Sequence, residues 1–196
     1  EITEDQIICA KLLHIDGHDT AAVAHAARIA RENGIPVTVD VDMIYKGFEN
    51  VLPNVDYLIT SSEFPERWTG EADPFKALTL MQETYGMKVA AMTLGAHGAV
   101  ARSEGSYYYS PAFVVNCIDT TGAGDVFHGA FCYSVVKGYS LAESLEFSNA
   151  MAALNCTAMG ARGRIASEAE ARQLMARGER RSKAEFAEYW AGPITG

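Results

Sequence analysis

The chain has little positive charge and lacks any long apolar run. Its 196 residues include 16 Lys and Arg against 25 Asp and Glu, which gives a formal net charge of −9. Proteins that bind nucleic acid irrespective of sequence need a basic surface, so the chain is a poor candidate for that class. No stretch approaches the roughly 18 consecutive apolar residues of a membrane-spanning helix. We therefore expect neither a nucleic-acid partner nor a membrane partner.

Cysteine is also scarce, with four residues in the whole chain. They lie far apart and form no Cys-x-x-Cys pair, which argues against the usual structural zinc sites. Each has apolar neighbours in the sequence, so we expect free, buried thiols in a reducing compartment, the cytoplasm. The four are Cys9, Cys117, Cys132 and Cys156.

The order of apolar and amphipathic segments predicts an α/β protein. Strands are expected at 7–14, 36–41, 56–60 and 88–94, with helices at 20–32 and 74–85. Such alternation is typical of a parallel sheet covered on both faces. Shorter strands at 99–102, 107–110 and 113–116 indicate an antiparallel edge. Helices follow at 125–137, 141–157, 167–176 and 183–190. We predict one domain over 1–177 and a loosely attached tail over 178–196.

The segment most informative about chemistry is DTTGAGD, residues 119–125. Gly122, Ala123 and Gly124 let backbone N–H groups converge without obstruction by large side chains. They open into a predicted helix, whose N-terminus has unpaired donors and the positive end of the helix dipole. An anion bound there would have the Asp125 carboxylate beside it, which suits phosphoryl transfer. For Gly-Ala-Gly-Asp alone, a tight turn with Asp125 as a helix cap is an equal alternative.

The full string, followed by Gly129-Ala130, resembles the second signature of the PfkB/ribokinase family of carbohydrate kinases. The resemblance implies a ribokinase-like, three-layer α/β/α fold with a mainly parallel sheet. It also implies that Asp125 is the catalytic base and that Gly122, Ala123 and Gly124 form the anion hole. The absence of a GxxxxGK[ST] loop argues against a Walker-type kinase.

Two further segments follow in the order of this family. Thr93, Gly95 and Gly98, at the end of a predicted strand, resemble the loop that contacts the nucleotide phosphates, and Gly124 would also bind nucleotide. A strand ending in a glycine turn is a common place for such contacts, although any such junction can use two glycines. Asn149 resembles the Asn near the adenine, while a solitary Asn on an Ala-rich helix is usually a surface residue.

Family members often hold a monovalent cation such as K⁺ beside the anion hole. The resemblance assigns this role to oxygens of Asp119 and Thr121 and to the main-chain carbonyls of Asn155, Ala158 and Gly160. Such carbonyl ligands leave little trace in side-chain identity.

The chain departs from the family pattern at an Asn-x-x-Glu motif that is linked to Mg²⁺. Ser61 stands at the position of the Asn and Phe64 at that of the Glu, with Glu63 one position away. A shift of one residue along a strand reverses the direction of the side chain, so the metal's partners are in doubt.

A second departure concerns coverage. The resemblance runs from about Ile7 to Met175 and corresponds to the later part of a family chain. The first strands, the small β-sheet lid and the sugar-binding Gly-Gly-x-x-x-Asn segment are not found, and no initiator Met opens the sequence. We expect that an N-terminal part is absent from this sequence. Related enzymes commonly dimerise through the lid, so a homodimer is one expectation.

Other polar residues are expected to play lesser parts. His14, Asp16 and His18 alternate as metal ligands on one strand face would, but a strand-end loop at the sugar cleft is the favoured interpretation. Asp40 and Asp42 end a predicted parallel strand, where ligands gather in α/β proteins.

The sequence therefore predicts an ATP-dependent kinase that phosphorylates a hydroxyl of a small sugar, with Mg²⁺ bound to the nucleotide. A nucleoside kinase of the same family is the alternative within the enzyme class. A catalytically silent module that binds adenine nucleotides is the alternative from another class. The altered Asn-x-x-Glu motif favours that module, and the presence of Asp125 opposes it.

Overall fold

The computed structural model describes residues 2–182, so the helix predicted at 183–190 lies outside the described residues. Six strands form one sheet in which the spatial order equals the order in the sequence. They are β1 (Leu13–Ile15), β2 (Val37–Val41), β3 (Tyr57–Ser61), β4 (Val89–Thr93), β5 (Ala99–Ser103) and β6 (Ser106–Ser110). The α-helices of the described part are α1 (Glu4–Ile8), α2 (Thr20–Glu32), α3 (Phe64–Thr69), α4 (Pro74–Tyr85), α5 (Ala123–Lys137), α6 (Leu141–Asn155) and α7 (Glu168–Arg177).

The sheet is mainly parallel. β1 pairs with β2 and β2 with β3 in parallel, and Val39 stands opposite Leu58. β5 and β6 instead follow each other across Glu104 and Gly105, whose φ angles of 48° and 77° are both positive. A connection of two residues permits only an antiparallel hairpin, and two positive φ angles suit its turn. The predicted α/β class with a mainly parallel sheet is confirmed.

Two predicted strands are wrong. The segment 7–14 was expected to be extended, but Glu4–Ile8 is helical and β1 begins only at Leu13. The helix is started by Thr3, whose N–H donates to Gln6 Oε1 at 3.0 Å, and this local bond outweighs the apolar run that follows. The segment 113–116 forms no strand, because Phe113 makes a single bridge, to Arg180.

The first of two compact units contains the described residues up to Met92 together with Ala101–Ser106. Its core includes β2 and β3, whose side chains are buried at most positions, as expected for parallel strands covered on both faces. Two aromatic rings complete it, since Phe48 and Phe64 lie 6.0 Å apart in an edge-to-face arrangement.

The second compact unit contains Thr93–Val100 and the described residues from Tyr107 onwards. Its core lies among α5, α6 and α7, where Phe113, Phe147 and Leu154 are buried together with several alanines. Alanine at these positions allows close contact between helices without leaving a polar group buried. Every residue that the sequence assigned to the candidate site belongs to this unit.

Local signals in the sequence set the ends of these helices. Ser140 begins α6 by accepting a hydrogen bond from the Glu143 N–H at 3.3 Å. Ser167 and Glu170 form a capping box at the start of α7, and its hydrogen bonds lower the pKa of Glu170 to about 2. Gly138 ends α5 with a φ of 74°.

The expectation of four buried thiols is wrong. The four cysteines, all among the described residues, form no disulfide, but Cys9 and Cys117 are exposed, and Cys132 and Cys156 are partly buried. Cys9 follows the last residue of α1, and Cys117 lies in the loop before the DTTGAGD segment, so neither belongs to a buried strand or helix face. Within residues 2–182, no helix is both long enough and apolar enough to span a membrane.

Candidate active site

The DTTGAGD segment forms a tight turn that leads into α5. The Ala123 N–H closes the turn by donating to the Thr120 carbonyl at 3.1 Å. Gly122 adopts φ 77° and ψ 2°, the conformation of the third residue in a type II turn. A Cβ on Gly122 would lie 2.8 Å from the backbone of Ala161. Glycine is therefore required here both by conformation and by space.

Three backbone donors at this turn are available to a ligand. The N–H groups of Gly122, Gly124 and Asp125 make no hydrogen bond with the described residues. They belong to the N-terminus of α5, where unpaired donors and the helix dipole favour an anion. Of the predicted anion-hole residues, Gly122 and Gly124 have N–H groups without a partner in the described range, while the Ala123 N–H donates to the Thr120 carbonyl.

Asp125 is the third residue of α5 and is exposed. Its carboxylate makes no hydrogen bond or ion pair with any other residue in the part of the chain that the structure describes. The cap of the helix is Gly122, so the alternative interpretation of Asp125 as a helix cap is wrong. An exposed carboxylate beside unpaired amide donors can accept a proton next to a bound anion.

Asp125 also lines a cavity of about 740 Å³. Its walls are mostly apolar side chains of α5 and α6, with Arg162 and Glu168 contributing charge. Glu168 accepts hydrogen bonds from the hydroxyls of Tyr133 at 2.6 Å and Tyr139 at 2.7 Å. These hydrogen bonds lower the pKa of Glu168, so it stands as a fixed carboxylate at the cavity wall.

Asp119 ties the turn to the loop after α6. Its Oδ1 accepts from the N–H of Thr121 at 2.9 Å and from the Thr121 hydroxyl at 2.7 Å, and its Oδ2 accepts from the Gly160 N–H at 2.7 Å. The hydrogen bonds from Thr121 lower the pKa of Asp119, and the one from Gly160 adds to the effect. Asp119 is therefore a charged clamp between two backbone segments.

The residues predicted to hold a monovalent cation surround this clamp. Asn155 is fully buried, and its Nδ2 donates to the Thr121 carbonyl at 3.1 Å. Its Oδ1 is buried without a hydrogen-bond partner among residues 2–182. A buried oxygen of this kind calls for a water or an ion, and K⁺ is commonly coordinated by carbonyl oxygens. The Asn155 amide oxygen, the Asp119 carboxylate and nearby carbonyls thus fit a monovalent cation.

The predicted carbonyl ligands are already partly engaged. The Ala158 N–H donates to the Asn155 carbonyl at 3.3 Å, and the Gly163 N–H donates to the Gly160 carbonyl at 2.9 Å. A carbonyl oxygen has two lone pairs, so each retains room for one further contact. No group of three or more His, Cys, Asp or Glu side chains suited to a metal occurs in the described range.

The predicted nucleotide loop follows β4 and closes on itself. The Leu94 N–H donates to the Gly98 carbonyl at 2.7 Å, and Gly95–His97 form one turn of 3₁₀ helix. A Cβ on Gly98, which has a φ of 100°, would lie 2.1 Å from the Ser110 carbonyl oxygen. This glycine is fixed by close backbone contact with the end of β6.

Asn149 is buried, which contradicts its interpretation as a surface residue. Its Nδ2 donates to the carbonyl of Ser110 at 2.8 Å and to the Ser110 hydroxyl at 3.0 Å. Gly98 and Asn149 therefore both contact Ser110, a residue that sequence reasoning missed. Its position in the sequence, as a polar residue at the end of a strand and just before Pro111, could have indicated a role at the site.

A second cavity, of about 210 Å³, joins these features. Gly95 and Asn149 line it together with Thr120 and Ala123 at the turn before α5. Thr93, Gly98 and Gly124, also predicted to bind nucleotide, are not among its lining residues. Its remaining walls are mainly apolar, from Ala96, Ala112, Phe113, Val115, Ala152 and Ala153.

Comparison with known proteins decides the family. The pfkB family carbohydrate kinase model matches residues 1–168. The chain belongs to the pfkB family. Its ribokinase-like α/β fold, expected from the DTTGAGD resemblance, is confirmed by solved structures.

Relatives of this pfkB-family chain are longer than it is. The chain is 29% identical over 160 residues to the ribokinase of Haemophilus influenzae, which covers 79% of the chain and 52% of that protein. Among solved structures, Arabidopsis thaliana ribokinase complexed with ribose and ATP matches with a TM-score of 0.76 and 22% identity, over 88% of the chain and 58% of its own. The adenosine kinase of Sinorhizobium meliloti matches with a TM-score of 0.75 and 24% identity, over 88% and 56%. The chain thus spans about half the length of the curated relatives it matches.

The pfkB-family positions of the Asn-x-x-Glu motif belong to the first compact unit. Phe64 is fully buried in its core, and Ser61 ends β3. Glu63 is exposed and pairs with Arg67. Phe64 has no atom that could bind a metal, so Glu63 is the carboxylate at these positions, and Arg67 already pairs with it.

The other polar residues of that unit make ordinary contacts. His14 Nδ1 lies 2.8 Å from the Thr38 hydroxyl oxygen, and the Asp16 carboxylate accepts from the His18 N–H at 2.9 Å. His14 thus contacts the neighbouring strand β2 from within β1, whereas Asp16 and His18 lie in the loop that follows β1.

Proposed function

We propose that this chain is the nucleotide-binding and catalytic part of an ATP-dependent kinase that phosphorylates a hydroxyl of a small sugar. The observation that carries the proposal is Asp125, an exposed and unpaired carboxylate beside three unengaged N–H donors at a helix N-terminus. A general base next to an anion-binding turn is the minimal equipment for phosphoryl transfer to an alcohol.

In the proposed reaction, Asp125 accepts the proton of the sugar hydroxyl while the hydroxyl oxygen forms a bond to the γ-phosphorus of ATP. The bond from that phosphorus to the β–γ bridging oxygen breaks, and ADP leaves. The N–H groups of Gly122, Gly124 and Asp125 stabilise negative charge on the phosphoryl oxygens, and they need no reorganisation because the turn is already formed.

ATP would occupy the cavity of about 210 Å³ that Gly95 and Asn149 line, with its phosphates at the start of α5. Mg²⁺ would enter bound to the nucleotide phosphates, since phosphate oxygens and water commonly fill most of its coordination positions. K⁺ would bind among Asp119, Thr121, Asn155 and Gly160, where it would add positive charge beside the anion-binding turn. Loss of that charge would weaken binding of the phosphates.

The names of the relatives support a sugar as acceptor, since ribokinases and a fructokinase are among them. The likeness to an adenosine kinase keeps a nucleoside acceptor as the second candidate. The chain spans about half the length of its curated relatives. We propose that the whole protein is a cytoplasmic homodimer that acts on a small sugar. The silent nucleotide-binding module is disfavoured because nothing in the described structure requires a carboxylate at Asp125.

The test is ADP release from Mg-ATP by the complete protein, measured against sugars and nucleosides. Asp125→Asn should keep nucleotide affinity but lower kcat by about 10²–10⁴, the usual contribution of a positioned base. Asp5→Asn, at an exposed carboxylate in the first turn of α1, is the matched control and should have normal turnover.

Two outcomes would contradict the proposal. Near-normal turnover by Asp125→Asn would remove this residue from the role of base. ATP binding without ADP release for any acceptor would favour the silent module.

A further inference from the structure

The segment after α7 is attached to the second compact unit by backbone hydrogen bonds. The Val114 N–H donates to the Glu179 carbonyl and the Arg181 N–H donates to the Ala112 carbonyl, both at 2.9 Å. Phe113 and Arg180 form the antiparallel bridge between these bonds. We name residues 178–181 the strap. The strap lies outside the part of the chain, residues 1–168, that the family model matches.

Side chains fix the strap as well. The Arg180 guanidinium lies 4.7 Å from the centre of the Phe113 ring, donates to the Met175 carbonyl at 2.7 Å and pairs with Glu146. A Cβ on Gly178 would lie 2.6 Å from the Leu174 carbonyl oxygen, so a larger residue would not fit where the chain leaves α7. These contacts set the position of Arg181, the next residue.

Arg181 lines the cavity of about 210 Å³ together with Gly95, Phe113 and Asn149. The turn before α5 contributes Thr120 and Ala123 to the wall of the same cavity. The unengaged amide donors belong to this polar turn. The backbone of Arg181 is held to Ala112, which also lines the cavity, and the neighbouring walls are mainly apolar. A planar guanidinium beside apolar walls stacks favourably on the face of an aromatic base.

We propose that the strap completes the base-binding end of the nucleotide site and that Arg181 contacts the purine. This rests on the proposed function, because it takes this cavity as the ATP site. The strap would make nucleotide affinity depend on residues that lie after the matched range, residues 1–168. The prediction of a separate tail from residue 178 stays a prediction for the residues beyond the strap.

The experiment compares Arg181→Ala with Arg177→Ala in the full chain. Arg181→Ala keeps the backbone bond to Ala112, and its thermal unfolding is compared with that of the unmodified chain to check that it folds. Arg177, the last residue of α7, is an exposed Arg that does not line the cavity and serves as the matched control. Equilibrium dissociation constants are measured for ATP, adenosine and inorganic tripolyphosphate.

Arg181→Ala should raise the Kd for ATP and for adenosine by about 3- to 30-fold, as expected for loss of a cation–π contact. The Kd for tripolyphosphate should not change, and Arg177→Ala should resemble the unmodified chain. If the unmodified chain binds ATP and Arg181→Ala changes its Kd less than about twofold, the strap inference is wrong while the kinase proposal stands. An equal loss for tripolyphosphate would place Arg181 at the phosphates and also overturn the inference. If the unmodified chain binds no ATP, both proposals fail.

Discussion

Replacement of Gly122 by alanine tests how the turn before α5 is held. Gly122 and Gly138 cap the two ends of α5 with nearly the same φ, 77° and 74°. An alanine in this left-handed region costs about 1–2 kcal/mol at either position. Only at Gly122 would the new Cβ also meet a neighbour, 2.8 Å from the backbone of Ala161, whereas nothing lies within 4 Å of it at Gly138.

The clash at Gly122 should add about 1–3 kcal/mol, the usual penalty of overpacking. Gly122→Ala should therefore unfold roughly 2–12 °C below Gly138→Ala, given about 2–4 °C per kcal/mol for a domain of this size. Because the alanine displaces the turn that presents the amide donors, kcat should also fall by about 10²–10³.

The assay is thermal unfolding of both variants in one buffer, followed by ADP release from the complete protein. Gly138→Ala should retain turnover, since that end of α5 bears no predicted site residue. Equal midpoints for the two variants would refute the argument, because the conformational penalty alone would then explain both. Normal turnover by Gly122→Ala would show that the turn geometry is not required for catalysis.

Two further predictions concern the surroundings of the turn. The hydrogen bonds from Thr121 lower the pKa of Asp119 below 3.8, so its stabilising effect is complete above about pH 4 and is lost as the pH falls through the lowered pKa. The difference in Tm between the unmodified chain and Asp119→Asn should thus be constant from pH 5 to 7 and shrink below about pH 4; a difference that grows on acidification would contradict this sign. Cys117 lines the smaller cavity and is exposed. Bound ATP should therefore slow its alkylation several-fold while the exposed Cys9 reacts at an unchanged rate, as peptide mass mapping would show, and equal rates at Cys117 with and without ATP would exclude that cavity as the nucleotide site.

Much of the fold followed from the sequence because its signals are local. The helices α2 and α4 begin and end where predicted, since Asp19 and Asp73 accept hydrogen bonds from first-turn N–H groups and glycine or Asn-Gly follows each helix. The DTTGAGD string predicted the turn and the helix after it for the same reason.

Features that depend on distant residues could not be predicted in this way. The contact of Asn149 with Ser110 joins residues 39 positions apart, and the bridge of Phe113 to Arg180 joins residues that no periodicity relates. The Ala123 N–H is used within the turn because Gly122 has a positive φ. The presence of a glycine in the sequence allows this conformation but does not require it. Burial of Asn155 Oδ1 is visible only when α6 and the turn are seen together.

The exposed position of Asp125 has a consequence for the evolution of this fold. Gly98 and Gly122 are dictated by neighbouring backbone atoms, so a lineage that lost catalysis but kept its structure would be expected to keep both. Asp125 has no such protection, because removing its carboxylate breaks no hydrogen bond or ion pair among the described residues. Once selection for phosphoryl transfer ceased, this position would be expected to drift first. In a descendant of this protein, an intact glycine turn would record shared ancestry, and the residue at position 125 would indicate whether the chemistry had survived.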